Sequence, residues 1–475
     1  MTPSEITSFV NSPIFQTVAE VASNRGAKAF IVGGFVRDLL LDRESKDLDI
    51  VVDSDGIDFA VDLSAKLGGT KVNLFKRFGT AQFVHDGLDI EIVGARKESY
   101  RSDSRKPNVS QGTLEEDRLR RDFTINAMSI SLNTDSFGQI IDPFDGLLDL
   151  KNKIIRTPLA PAETFSDDPL RMMRAIRFAT QLNFRIEDGC FEAIGEQCAR
   201  IDIVSQERIT EELNKIIAAP KPSLGFKLLF NTKLLHRIFP KMVELQGVEV
   251  KNGVSHKDNF YHTLQVLDNV SDRSDDLWLR WSAILHDIAK PDTKRFHKKA
   301  GWTFHGHEDL GAKMVPRIFK SLKLPLDHKM KFVQKMVRMH LRPIALSGDH
   351  VSDSGVRRLL FDAGEDLEQL MILCESDITS KNEGKVARFL QNFQRVRIKC
   401  AEVESKDKLR NWEPPIGGAE IMDIFGLKPG REIGVLKTAV REAILDGEIE
   451  NNYDEAYGFL LKKGADLGLS PLKKN

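Results

Sequence analysis

Apolar residues follow two rhythms along the 475-residue chain. Up to about residue 150 they come in short runs bounded by turn residues: AFIV (29–32), LDIVV (48–52), TAQFV (80–84), LDIEIV (88–93) and MSISL (128–132). Short runs rich in β-branched residues predict strands, so this part reads as mixed α/β. Beyond about residue 155 the apolar positions recur every three or four residues, as in LRMMRAIRFATQL (170–182), IVSQERITEELNKII (203–217) and LWLRWSAILHDIAK (277–290). That spacing predicts helix almost throughout. The expected fold class is α+β, a head of mixed sheet and helices followed by all-α segments. Proline and glycine breaks near 158–161, 220–222, 253–259 and 413–418 divide it into a head (1–155), a neck (156–235), a histidine-rich body (236–390) and a helical tail (391–475).

Composition narrows this little. Lys plus Arg number 69 against 70 Asp plus Glu, so bulk charge does not announce a nucleic-acid binder, and any RNA contact falls to local stripes. Candidates are RKESYRSDSRK (96–106), RLRR (118–121) and RMMRAIR (171–177). No apolar run is long enough to span a bilayer, and the N-terminus lacks the layout of a secretion signal, so the expected setting is cytoplasmic, with no membrane partner. Cys190, Cys198, Cys374 and Cys400 are too scattered for a disulfide framework or zinc ribbon. Nothing in the chain specifies an oligomeric state.

The chemistry begins at GGFVRDLLLDRESKDLDIVV (33–52). A strand entering Gly33-Gly34 and then a helix turns backbone N–H groups toward an anion, with Arg37 one turn further on. A strand-to-helix turn that merely needs glycine reads the same way. Asp47 and Asp49, one residue apart on a strand, share one face. Asp89 and Glu91 repeat the arrangement on a later strand. Carboxylates forced together repel unless a cation lies between them. If the two strands are neighbours, the set suits Mg²⁺ and two-metal phosphoryl transfer.

These motifs, with FKRFGTA (75–81), RRDFTINAM (120–128), DPFDGLLDL (142–150), DDPLRMMRAIRFATQLNF (167–184) and SQERITEEL (205–213), resemble the polymerase-beta-like head and neck of class II tRNA nucleotidyltransferases, the CCA-adding enzymes. The resemblance implies addition of C, C and A to tRNA 3′ ends from CTP and ATP, without a nucleic-acid template. It gives the metal-holding role to Asp47 and Asp49. The third carboxylate is Glu91, with Asp89 as runner-up. Gly33, Gly34 and Arg37 would hold the triphosphate, and Arg121, Asp122 and Asn126 phosphate and ribose. Asp168 and Arg171 lie three apart on a helix, so they can read the donor-next-to-acceptor edge shared by adenine and cytosine. Asp168 precedes Pro169 and equally fits a helix N-cap. Arg174 and Arg177 continue the stripe toward base or phosphate, or solvate the helix. Asp167 stands where the family usually has a Glu that orients the arginine. ARKESYRSDSRKP (95–107) looks like the family's flexible loop, associated with adding the final A, and the tail would bind tRNA. The alternatives are an A-adding tRNA nucleotidyltransferase and a poly(A) polymerase, which share the head.

Eight of the 11 histidines lie between 256 and 340. YHTLQVL, ILHDIAKP, FHGHEDLGAKM, VRMHLRP and CESDITS together resemble an HD-type phosphohydrolase domain. That resemblance implies His262, His286, Asp287 and Asp377 as core metal ligands, with His307 and His340 for a second ion. Imidazole with carboxylate suits Mn²⁺, Ni²⁺ or Fe²⁺ better than Mg²⁺.

Overall fold

The computed structural model describes residues 6, 9–76, 79–101, 104–346, 352–380, 382–407 and 412–472. Arg77 and Phe78 of the FKRFGTA motif, and Ser102 and Asp103 of the basic segment, lie outside the described residues. The chain divides into two compact units, residues 1–243 and 244–475.

In the first unit every predicted run forms a strand: β1 (Ala29–Val32), β2 (Asp47–Val52), β4 (Thr80–His85), β5 (Leu88–Gly94) and β8 (Ser129–Ser131). Short β3 (Asn73–Phe75) and β9 (Ile140–Ile141) complete a seven-stranded mixed sheet in the order β3-β4-β5-β2-β1-β8-β9. Alternation fixes its register. On β2, Leu48, Ile50 and Val52 are fully buried, while Asp47 and Asp49 point the other way. Slipping β2 by one residue would expose those apolar side chains, at about 2 kcal/mol each. β2 and β5 run parallel, with Asp47 opposite Asp89 and Asp49 opposite Glu91.

The basic segment expected as a loop is instead a two-stranded antiparallel ribbon, β6 (Arg96–Arg101) with β7 (Ser104–Gln111), separate from the main sheet. Its main chain finds partners within itself, a solution that a charged, apolar-poor sequence does not advertise.

The helices used below are α1 (Gly34–Leu40), α2 (Leu114–Leu119) and α3 (Thr124–Ala127) within residues 1–155, and α4 (Pro161–Asp167), α5 (Leu170–Leu182) and α6 (Gln206–Ile217) beyond them. α5 is buried on most of its surface, Arg171 and Arg177 included, and it packs against α6.

Among its described residues the second unit is helical apart from two short hairpins. Its metal-relevant helices are α7 (Asn259–Ser271), α8 (Leu277–Leu285), α9 (His307–Ser321), α10 (His328–Met339) and α11 (Leu367–Ser376). Three tail helices close on a small core of Ile421, Phe425, Leu436, Val440 and Leu460. Among the described residues no helix is long and apolar enough to cross a membrane.

Candidate active site and metal centre

The acidic face forms where β2 and β5 run side by side. Val32, the last residue of β1, pairs with Asp49, which sets the Gly33 turn directly over that carboxylate. Gly33 has φ +77°, and a Cβ there would stand 3.0 Å from Asp49 Oδ2 and 3.1 Å from Arg121 Nη1. Only glycine fits both the backbone and the gap. Gly34 is under no such constraint, since its Cβ would meet nothing nearer than Arg37 Nη2 at 3.5 Å. Gly33→Ala is therefore expected to cost about 1–3 kcal/mol, read as a lowered Tm, with loss of nucleotide transfer. Gly34→Ala should change either far less.

Burial pushes the Asp49 carboxyl up to about 6; Glu91 and Asp47 push the same way, and Arg121 opposes them. Such crowding is stabilised by a cation, and the donor set, all carboxylate oxygen, fits a hard divalent ion.

Asp117 carries no motif, and the sequence reading missed it. It is fully buried on α2, with Oδ1 accepting from Arg120 Nε at 3.0 Å and Oδ2 from Arg121 Nη2 at 3.2 Å. The two arginines hold its carboxyl below the usual range against the opposing effect of burial. It aims Arg121 at Gly33 and Asp49. The available signal was spacing, because Asp117 lies three and four residues before the two arginines.

The remaining predicted nucleotide contacts are drawn together, yet bonded to one another. Arg37 is buried; it donates through Nη1 to Asn126 Oδ1 at 2.8 Å and through Nη2 to Asp38 Oδ2 at 2.7 Å. Asn126 Nδ2 donates to Asp122 Oδ1 at 3.0 Å, and Arg174 Nε to Asp122 Oδ2 at 2.7 Å. Burial would raise the Asp122 carboxyl, but Arg174 and Asn126 take it down to about 2. Arg177 pairs with Glu212 on α6 at 2.5 Å and lies over the Phe178 ring. These groups frame the head against the neck.

Asp168 and Arg171 sit at the start of α5, each with main-chain contacts. Asp168 Oδ1 accepts from Leu170 N at 3.1 Å, which is the capping contact. The Arg171 guanidinium is held by main-chain carbonyls, Thr164 at 3.4 Å and Arg120 at 2.5 Å. The expected orienting acid, Asp167, acts on Arg171 through charge.

In the second unit all six predicted ligands meet. His286 and Asp287 follow the end of α8, His307 opens α9, His340 follows α10, Asp377 follows α11 and His262 lies on α7. His262 Nε2 is 2.8 Å from Asp377 Oδ1 and 3.5 Å from Asp287 Oδ2. His286 Nε2 is 3.2 Å from Asp287 Oδ2. On the other side, His307 Nε2 is 3.3 Å from Asp287 Oδ1 and 3.3 Å from His340 Nε2. Two donor groups result, His262-His286-Asp287 and Asp287-His307-His340, with Asp287 common to both.

Outer contacts fix the rings. Nδ1 of His286, His307 and His340 each face a carbonyl oxygen, of Ala283, Phe304 and Val337, at 2.7–2.8 Å. Nδ1 of His262 instead meets Thr379 Oγ1 at 2.8 Å. Metal-binding histidines are held in this way, with Nδ1 bonded outward and Nε2 turned inward. The His286 Nε2 atom is buried with no hydrogen-bond partner among the described residues, so the set fits a metal. Burial would lower the His286 imidazole, but Asp287 and Asp377 overcome it and raise it to about 10. For His340, burial and then the charge of His286 lower the imidazole to about 4. His305, two residues before His307, belongs to neither donor group.

The chain matches three family descriptions in order: "Poly A polymerase head domain" over 29–156, "Probable RNA and SrmB- binding site of polymerase A" over 183–245, and "HD domain" over 259–382. An A-adding tRNA nucleotidyltransferase of Deinococcus radiodurans is 30% identical over 433 residues, covering 89% of this chain and 92% of the relative. A CCA-adding enzyme of Geobacillus sp. is 28% identical, covering 95% of this chain and 97% of the relative. A solved CCA-adding enzyme in an apo form superposes with a TM-score of 0.64 at 24% identity, covering 97% of this chain and 98% of that one, which supports the fold. With the carboxylate face, the glycine turn and the helical HD centre in place, the chain belongs to the tRNA nucleotidyltransferase family of enzymes, which use divalent metal ions.

Proposed function

We propose that this enzyme adds C, C and A to tRNA 3′ ends from CTP and ATP with Mg²⁺, in the cytoplasm. The observation that carries the reading is the register placing Asp47 and Asp49 beside Asp89 and Glu91, next to a turn that only glycine can form. Bound there, Mg²⁺ supplies positive charge to the α-phosphate and lowers the pKa of the attacking 3′-hydroxyl. Asp47 and Asp49 would hold the ions, and Glu91 would take the hydroxyl's proton. The open side of Gly33 receives the triphosphate, steadied by Arg121, and pyrophosphate leaves. Alignment and charge do the work. Asp168 and Arg171 select adenine and cytosine, with the carbonyls of Thr164 and Arg120 keeping the guanidinium in one pose. The four-part division at residues 155, 235 and 390 describes these roles, with the tail contributing to tRNA binding.

The test uses tRNA transcripts ending before CCA, after C and after CC, with each nucleoside triphosphate supplied separately. Stepwise growth of all three to CCA is expected. Extension of the CC-ending transcript alone, by ATP, would instead give A-only addition, the second reading and the activity in the name of the Deinococcus radiodurans relative. Arg171→Ala should narrow the preference for CTP and ATP over UTP and GTP by about 10- to 100-fold. Equal use of all four nucleotides by the unaltered protein would overturn base selection by this pair.

For the second unit we infer a phosphohydrolase acting on 2′,3′-cyclic phosphates or phosphomonoesters at RNA ends, with Mn²⁺, Ni²⁺ or Fe²⁺ held by His262, His286, Asp287 and Asp377, and by His307 and His340. Hydrolysis on adding a transition metal, lost in His286→Ala, is the expected result.

A further inference from the structure

The stretch between Asp287 and His307 is not used by the metal centre. Arg295–His297 pairs antiparallel with Gly301–Thr303, placing Phe296 opposite Trp302, with ring centroids 5.2 Å apart. A second ribbon, Val250–Lys251 with Val254–Ser255, lies alongside. Trp302 Nε1 donates to the Val254 carbonyl at 3.1 Å. The His256 ring stands edge-on to both Trp302 and Phe304.

Cations cover this aromatic bed. Lys251 lies over Phe296, Lys290 over Phe304 and Lys294 over Trp302, all within 5.6 Å of the centroids. From residue 290 to 299 there are five Lys or Arg and one acid, Asp292. Lys290 is held by Asp287 and Lys294 by Glu249. Arg295, Lys298 and Lys299 are exposed, and none of them has a carboxylate partner among the described residues. The ribbon is tied to the metal centre by the Phe304 carbonyl, which accepts from His307 Nδ1 at 2.7 Å.

Exposed lysines alone are an ordinary solvated face. Here the unneutralised cations project from a rigid ribbon built on half-buried rings, and the ribbon adjoins donors suited to a hydrolytic metal. A protein interface of this size would want an apolar centre, whereas the outward face here is cationic. Regularly spaced phosphates complement it. We propose that residues 290–304 form a docking ribbon for the phosphodiester backbone of single-stranded RNA, delivering an RNA end to the HD centre. The delivery rests on the phosphohydrolase reading; the binding does not.

The experiment measures binding of a fluorescent ten-nucleotide single-stranded RNA to the full chain by anisotropy, from about 50 to 200 mM salt. For R295E/K298E/K299E, Kd should rise about tenfold or more, and the slope of log affinity against log salt should shrink by about 2, from three lost contacts at about 0.7 each. R295Q/K298Q/K299Q should fall between this and the unaltered chain, with an unchanged Tm for both variants. An unchanged slope and Kd in the charge-reversed chain would falsify the proposal. RNA binding by the unaltered chain with no hydrolysis on adding Mn²⁺ would count against the phosphohydrolase reading and leave the ribbon standing.

Discussion

Asp49→Asn is expected to abolish nucleotide addition, by about 10³-fold or more, while making the metal-free protein harder to melt above pH 7. Both effects come from the same crowding. Asp49 is raised to about 6 by burial and by Glu91 and Asp47. A carboxyl raised in the folded state gives stability that is present below about pH 4 and lost as pH climbs through about 6. The neutral amide removes that loss, a gain on the order of 2 kcal/mol, read as a higher Tm at pH 8 without metal. In the unaltered enzyme the proton competes with the ion, so the Mg²⁺ concentration for half-maximal rate should rise as pH falls below about 6. A Tm that drops in Asp49→Asn, or a rate that survives, would contradict the account of the acidic face.

Asp287→Ala should empty the second unit of metal altogether, because its carboxylate is shared by both donor groups. Metal analysis of protein dialysed against Mn²⁺ is expected to give two ions per chain for the unaltered protein, one each for His262→Ala and His340→Ala, and none for Asp287→Ala. One ion in every variant would reduce the centre to a single site. Removing Asp287 also strands Lys290, 2.6 Å from it, and leaves His286 with Asp377 as its remaining acidic neighbour. The metal-free variant should therefore lose about 3 kcal/mol or more. The raised His286 imidazole predicts proton release on metal uptake below about pH 10.

The strand runs were legible because alternation and burial agree. LDIVV and LDIEIV each put apolar residues on one face and acids on the other, and the parallel pairing then follows the same register. The clustering of the candidate HD donors was legible from motif order, since each falls at a helix end or on a helix facing the centre. What stayed hidden was pairing between distant elements. Nothing local says that Asp122 belongs to Arg174, 52 residues away, or that Arg171 answers to the carbonyl of Arg120. Asp168 shows the limit of spacing: two residues share a helix face, yet one side chain turns back to the main chain. Asp117 was passed over because a lone acid in an acid-rich helix start looks like ordinary capping until its burial is known.

The unequal anchoring of the four imidazoles sets an order of release. Three are latched to carbonyls within their own helix ends or loops, and they cannot swing without dismantling that local backbone. His262 is latched to a hydroxyl on a different segment, beside the partly exposed Asp377. Its ring is thus the first to let go, and a chelator should strip the ion on the His262 side quickly and its neighbour slowly, giving two-phase decay. Thr379→Val should speed only the fast phase.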